Sequence, residues 1–201
     1  MNIMEITTVT TGTVRISFEH LMAPHAMEQE QEPKYSCTCL LPKTDTDTMS
    51  RISAAIAAAT EKGKTGKWNN SVPPVLATPV YDGDGVRPSD GMPFGDECKG
   101  KYVFTCSCNQ AHKPEVVDIN GNPILNASEV YSGMYGRVNF SAFPYLYAGK
   151  RGIGFSLNCA QKLQDGEPLA GKPTSASEAF GTPAPQAAVS GGIDPITGLP
   201  C

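Results

Sequence analysis

Residues 137–147 alternate side chains without a break, and this run restricts the fold more than any other feature of the chain. Val138, Phe140, Ala142 and Pro144 form one set; Arg137, Asn139, Ser141, Phe143, Tyr145 and Tyr147 form the other. A period of two means a strand with one buried face. Residues 152–161 repeat the pattern, with Ile153, Phe155, Leu157 and Cys159 against Gly154, Ser156 and Asn158. The polar stretch 148–151 between them makes the two runs the arms of a long hairpin.

Three further segments alternate. In 11–18, Val14, Ile16 and Phe18 oppose Thr13, Arg15 and Ser17. In 34–41, Tyr35, Cys37, Cys39 and Leu41 oppose Lys34, Ser36 and Thr38. In 101–108, Tyr102, Phe104, Cys106 and Cys108 oppose Val103, Thr105 and Ser107. Residues 75–81 predict a short strand. One segment, 44–62, changes period: Met49, Ile52, Ile56 and Ala59 recur at helical spacing, Asp45 or Thr46 can cap it, and Gly63 ends it. The polar stretches 20–33 and 82–97 read as loops, Asn120-Gly121 as a turn, and 128–131 as a helical turn. Beyond Lys172 almost no large apolar residue occurs, which predicts a flexible tail over 173–201 after a single domain over 1–172. The fold class is mainly β with one inserted helix. A small antiparallel barrel fits, because closing a sheet removes its edges; two packed sheets fit the same periodicity.

Hydrophobic residues make up 40% and charged residues 18%, enough apolar material for a core. The net charge of -4 argues against a nucleic-acid partner if taken alone, but a local basic groove can track phosphates on an acidic protein. Seven cysteines, no basic-then-apolar opening, and no apolar run near the roughly 20 residues of a membrane span predict a reducing cytoplasm, buried thiols and no membrane contact.

The outer set of 137–147 carries the functional signal. Phe143, Tyr145 and Tyr147 stand where a solvent-facing strand carries polar residues, and Lys150 and Arg151 follow at the turn. Unstacked bases need flat π-surfaces, and cations beside them bind phosphates. We therefore expect Phe143, Tyr145 and Tyr147 to stack bases, and Arg137, Lys150, Arg151, Lys34 and Arg15 to contact phosphates. Tyr35 and Tyr102, on the flanking strands, complete the candidate surface. A second patch joins Lys62, Lys64 and Lys67 to the single tryptophan, Trp68; of these, Lys64, Lys67 and Trp68 are candidate DNA contacts. The competing reading packs these aromatics under a loop, makes Trp68 a core plug and leaves the lysines on a solvated helix end.

Several runs then resemble one family. They are Glu129-Val130-Tyr131-Ser132-Gly133-Met134-Tyr135-Gly136-Arg137-Val138, Gly152-Ile153-Gly154 through Leu157-Asn158, Gln161-Lys162-Leu163, Asp165-Gly166-Glu167-Pro168-Leu169, Glu32-Pro33-Lys34-Tyr35-Ser36, Leu40-Leu41-Pro42-Lys43, Asp82-Gly83-Asp84, Val117-Asp118 and Asn120-Gly121-Asn122-Pro123-Ile124. Together they resemble the OB-fold single-stranded-DNA-binding proteins of tailed bacteriophages, over roughly residues 11–171. The resemblance implies an OB-fold, sequence-independent binding of single-stranded DNA, and a place in phage replication, recombination or repair within the infected host. It implies no catalytic residue. Residues 175–201 hold only Glu178 and Asp194, so an acidic tail switch is not expected, although the tail could contact phage or host replication and recombination proteins. Monomer and homodimer both fit.

Other chemistry is weaker. Cys37-x-Cys39 and Cys106-x-Cys108 lack the spacing of structural zinc sites. Gly63-Lys64-Thr65 ends a helix, whereas a P-loop begins one. Asp82-Gly83-Asp84-Gly85 lacks the later ligands of a calcium loop. His20, His25 and His112 have no nucleophile at a diagnostic spacing. No metal, cofactor or enzymatic activity is expected. The competing function is a virion structural or assembly protein built on the same β-rich domain.

Overall fold

In the computed structural model, which describes residues 7–26, 32–74, 76–147 and 149–169, the long hairpin is the backbone of the fold. Its arms are β7 (Tyr135–Tyr147) and β8 (Lys150–Gln164), paired from Tyr147–Lys150 down to Tyr135–Gln164. Val138, Phe140, Ala142 and Pro144 are buried, as are Ile153, Phe155 and Leu157. Cys159 is exposed instead of buried. A bulge opposite Asn139 and Phe140 adds one residue to β8, which turns Cys159 outward and Ala160 inward.

The other strands are β1 (Thr8–Thr10), β2 (Val14–His25), β3 (Lys34–Pro42), β4 (Val80–Asp82), β5 (Lys101–Asn109) and β6 (Glu115–Val117). β7, β2, β3, β5 and β8 pair in that order, and β8 returns to β7, so the five close into a ring. Every pairing in the ring is antiparallel except β5 with β8, which meet in parallel at Ser107 and Ser156. This is an OB-like barrel; the two-sheet sandwich is excluded. Phe104, Phe140 and Phe155 fill its centre, with the Phe140 and Phe155 rings 4.3 Å apart. Tilted and edge contacts among three rings add attraction beyond buried area.

The helix α1 (Thr46–Thr65) is inserted between β3 and β5. Asp45 caps it by accepting the Thr48 N–H at 3.0 Å. Its buried face is Ile52, Ala55, Ala59 and Gly63, small residues that let it lie close to β7. Gly63 therefore does not end the helix. It sits inside the last turns because a Cβ there would come within 2.7 Å of Pro144 and 2.8 Å of Trp68. The helix runs on to Thr65, and Gly66 is its C-cap.

Three other expectations are corrected. Phe18 is 71% exposed, at φ 44°, because β2 loses register with β3 after Ser17. The loop expected over 20–33 is strand as far as His25, while 27–31 lie outside the described residues. The strand over 75–81 is confined to β4, preceded by a single bridge from Ala77 to Gly152. β1 and β6, three residues each, went unforeseen; both are edges that run beside longer strands. The tail over 173–201 lies outside the described residues.

Candidate functional site

The outer face of the barrel carries a cleft of about 670 Å³. Its floor is Ser107 and Asn109 of β5 with Ser156 and Asn158 of β8; Phe143 of β7 forms one wall, and Lys34 of β3 and Lys113 of the β5–β6 loop supply charge. The parallel β5–β8 contact makes this site, because it seats the end of β5 beside the middle of the hairpin. Small polar residues keep the floor low. Asn158 donates to Asn139 Oδ1 at 2.7 Å and to Ser141 Oγ at 3.0 Å, a polar net that continues along β7.

Phe143 is 41% exposed and Tyr147 79%, with Tyr145 half-buried between them. The three share the cleft's face and lead from it to the hairpin tip. The rings of Phe143 and Tyr145 lie over Gly154 and Gly152: a Cβ on Gly154 would come 2.7 Å from Phe143 Cζ, and one on Gly152 would come 2.5 Å from Tyr145 Oη. The space above these two glycines is thus filled by the protein's own rings. Each ring end rests against the neighbouring strand, with Phe143 exposed and Tyr145 half-buried.

The electrostatics favour an anion here despite the negative total. Lys43 neutralises Asp82 and Asp84 at 2.6 and 2.7 Å, Arg87 meets Asp90 at 2.9 Å, Lys99 meets Asp96 and Lys162 meets Asp165, both at 2.7 Å. Those pairs hold the carboxyls of Asp82, Asp84, Asp96 and Asp165 below the usual range through hydrogen bonds from the lysines. Among the described residues no carboxylate pairs with Lys34, Lys113 or Lys150.

The helix end and hairpin tip come together. Trp68 is fully buried and donates from its indole to the Tyr145 carbonyl at 2.9 Å, and Arg151 donates to the Ser71 carbonyl at 3.0 Å. Lys67 is exposed at this corner, and Lys64 reaches Glu61 at 3.7 Å. Trp68 itself is a core plug and not a platform, since no face of it reaches solvent. Tyr35 is likewise buried, facing inward with Cys37 and Cys39. Tyr102 packs against the core, and Lys43 stands 5.7 Å over its ring. Arg15 is spent on its own chain, donating to the carbonyls of Glu167 at 2.7 Å and Gly133 at 3.4 Å. Arg137 is exposed but donates to Thr11 and lies roughly 20 Å along β7 from Phe143. Of the predicted residues, Lys34 and Phe143 meet in the cleft, while Tyr145, Tyr147, Lys150 and Arg151 extend it.

Lys113 and His112 were missed. Both sit in a turn after β5, where His112 contacts Asn109 at 2.7 Å. Sequence carried no signal for them, since only barrel closure brings that turn to β7. The inward cysteines are buried: the hydrogen bond of Cys37 with Cys39, then burial, pushes the Cys37 thiol well up, and burial raises Cys106.

Comparison with known proteins agrees with this geometry. The family described as Enterobacter phage Enc34, ssDNA-binding protein, matches residues 7–189. Protein p50 of Acyrthosiphon pisum secondary endosymbiont phage 1 is 25% identical over 173 residues, covering 84% of this chain and 90% of its own. The single-stranded DNA-binding protein from bacteriophage Enc34, solved in complex with ssDNA, superposes with a TM-score of 0.68 at 26% identity, over 81% of this chain and 89% of that one. Gp2.5, a single-stranded DNA binding protein encoded by bacteriophage T7, shares the fold with a TM-score of 0.57 at 14% identity, over 91% and 98%.

Proposed function

Because the chain belongs to the family of the Enterobacter phage Enc34 ssDNA-binding protein, we propose that it binds single-stranded DNA without sequence preference in phage DNA replication, recombination or repair, in the cytoplasm of the infected host. It does so by binding alone, with no catalytic step and no cofactor. The domain over 1–172 carries the activity, and the tail over 173–201 is the part open to replication and recombination proteins.

The observation that carries the reading is the outer face itself. Phe143, Tyr145 and Tyr147 present rings beside a cleft whose lysines lack carboxylate partners among the described residues. Rings accept any base, and lysines accept any phosphate, so the surface reads polymer chemistry and strandedness but not sequence. A duplex hides its base faces in the stack and cannot use the rings. Lys34, Lys113, Lys150 and Arg151 are the phosphate contacts, with Lys64 and Lys67 near the hairpin tip.

Titration of the full chain with oligo-dT, oligo-dA and duplex DNA tests this. Single strands should bind with similar affinity, more tightly with length and more weakly with salt, and duplex should bind less. Phe143→Ala with Tyr145→Ala should weaken every single strand about equally. A virion structural protein would show no length-dependent, salt-sensitive binding.

A further inference from the structure

Past Lys34 the outer face continues onto β2, and there two imidazoles stack. The rings of His20 and His25 lie 4.3 Å apart with planes 9° from parallel. An odd spacing on a regular strand would send them to opposite faces. β2 avoids this with a bulge: His20 registers with Ser36 and His25 with Lys34, so residues 21–24 stand opposite Tyr35 alone. Leu21 is fully buried and fastens the bulge, and Glu19 accepts the Leu21 N–H at 3.3 Å. Bulges of this kind re-aim side chains. Here the result is a ring pair on the face of Ser36 and Lys34, with His25 exposed.

The same register leads back to the cleft. Ser36 pairs with Ser107, Ser107 with Ser156, and Ser156 with Ser141. A row of small hydroxyl residues thus crosses the sheet from the histidines to β7, where Phe143 lies over Gly154. From β2 to β7 through β3, β5 and β8 is about 19 Å at ordinary strand spacing. Rings stand at both ends, the floor between is low and polar, and Lys34 lies on the way.

We propose that the outer face of His25, backed by His20, is a second stacking wall for an unpaired base, so that a single strand held at Phe143 crosses the sheet to β2. The proposal rests on the reading of this face as the DNA interface. Imidazole rings stack on bases as other aromatic rings do. His20 holds the His25 ring in place before DNA arrives, which reduces the ordering cost of binding. Burial, and then the neighbouring ring of His25, keep His20 below its usual pKa, which favours the neutral form of the backing ring.

The test uses the full chain, oligo-dT of about 4 and about 16 nucleotides, and the variants His25→Ala, His25→Phe and His25→Lys. Loss of one stacked base should weaken the longer oligomer by at least about five-fold in His25→Ala and leave the shorter one, held at Phe143, nearly unchanged. His25→Phe should restore the longer oligomer, and His25→Lys should not. Wild-type affinity of His25→Ala at both lengths, or rescue by Lys as good as by Phe, overturns the stacking wall while leaving the interface standing. A wild-type chain that binds neither oligomer overturns both.

Discussion

Phe143 lies across Gly154, its Cζ only 2.7 Å from where a Cβ on that residue would stand. The outer end of the ring is thereby packed against the sheet while 41% of the residue stays open to solvent, where a base can reach it.

Gly154→Ala should lift that ring without unfolding the barrel, since Phe143 is 41% exposed and can swing outward. Affinity for oligo-dT should fall several-fold, by at most the roughly 1–3 kcal/mol of one stacked base. Fluorescence anisotropy with a labelled oligomer checks it. Unchanged affinity would mean that the ring's posture is irrelevant to binding.

Trp68 should behave as core. It is the single tryptophan, fully buried and bonded to the Tyr145 carbonyl. Trp68→Ala should cost about 3–5 kcal/mol in denaturant unfolding. In the wild type, acrylamide should scarcely quench its emission, and saturating oligo-dT should not quench it as direct stacking would.

Much of this was legible in the residues, for identifiable reasons. The β7–β8 alternation has a strict period, so the buried set and the ring-bearing set of β7 separate by inspection. Phe18 and Cys159 escaped because each stands at or beside a bulge, and a one-residue slip reverses every face assignment after it. Tyr35 and Tyr102 were assigned to the site by residue type, although their own alternation with Cys37 and Phe104 pointed inward. Lys113 joins the cleft only through the parallel closure of β5 on β8, a contact with no local signature.

Phe18 has φ 44° on a bulky side chain, an arrangement that costs on the order of 1–2 kcal/mol. Phe18→Asn should tolerate that backbone better and raise the melting temperature by a few degrees. A lower melting temperature would show that the contacts of the Phe18 ring, which lines a cleft with Tyr81 and Phe94, outweigh the strain.

Stability should also respond to acid through His20. Burial and then His25 lower the His20 pKa in the folded chain from 6.5. Below pH 6.5 the unfolded chain therefore takes up a proton that the folded one resists, and this contribution, full above pH 6.5, is lost as pH falls through the folded pKa. Glu19 works in the opposite sense, because burial raises its pKa above 4.5. Urea unfolding at a series of pH values should show the decline setting in as pH falls below 6.5, and His20→Gln should flatten it.

The account is tested most directly by the salt dependence of oligo-dT binding in the double variant Lys34→Ala, Lys113→Ala. Each lysine that neutralises a phosphate contributes roughly 0.7 to the slope of log affinity against log salt for a single strand. The double variant should therefore bind more weakly at low salt with a slope shallower by about 1.4, equally for dT and dA. A slope and affinity matching the wild type would contradict the placement of the DNA in this cleft.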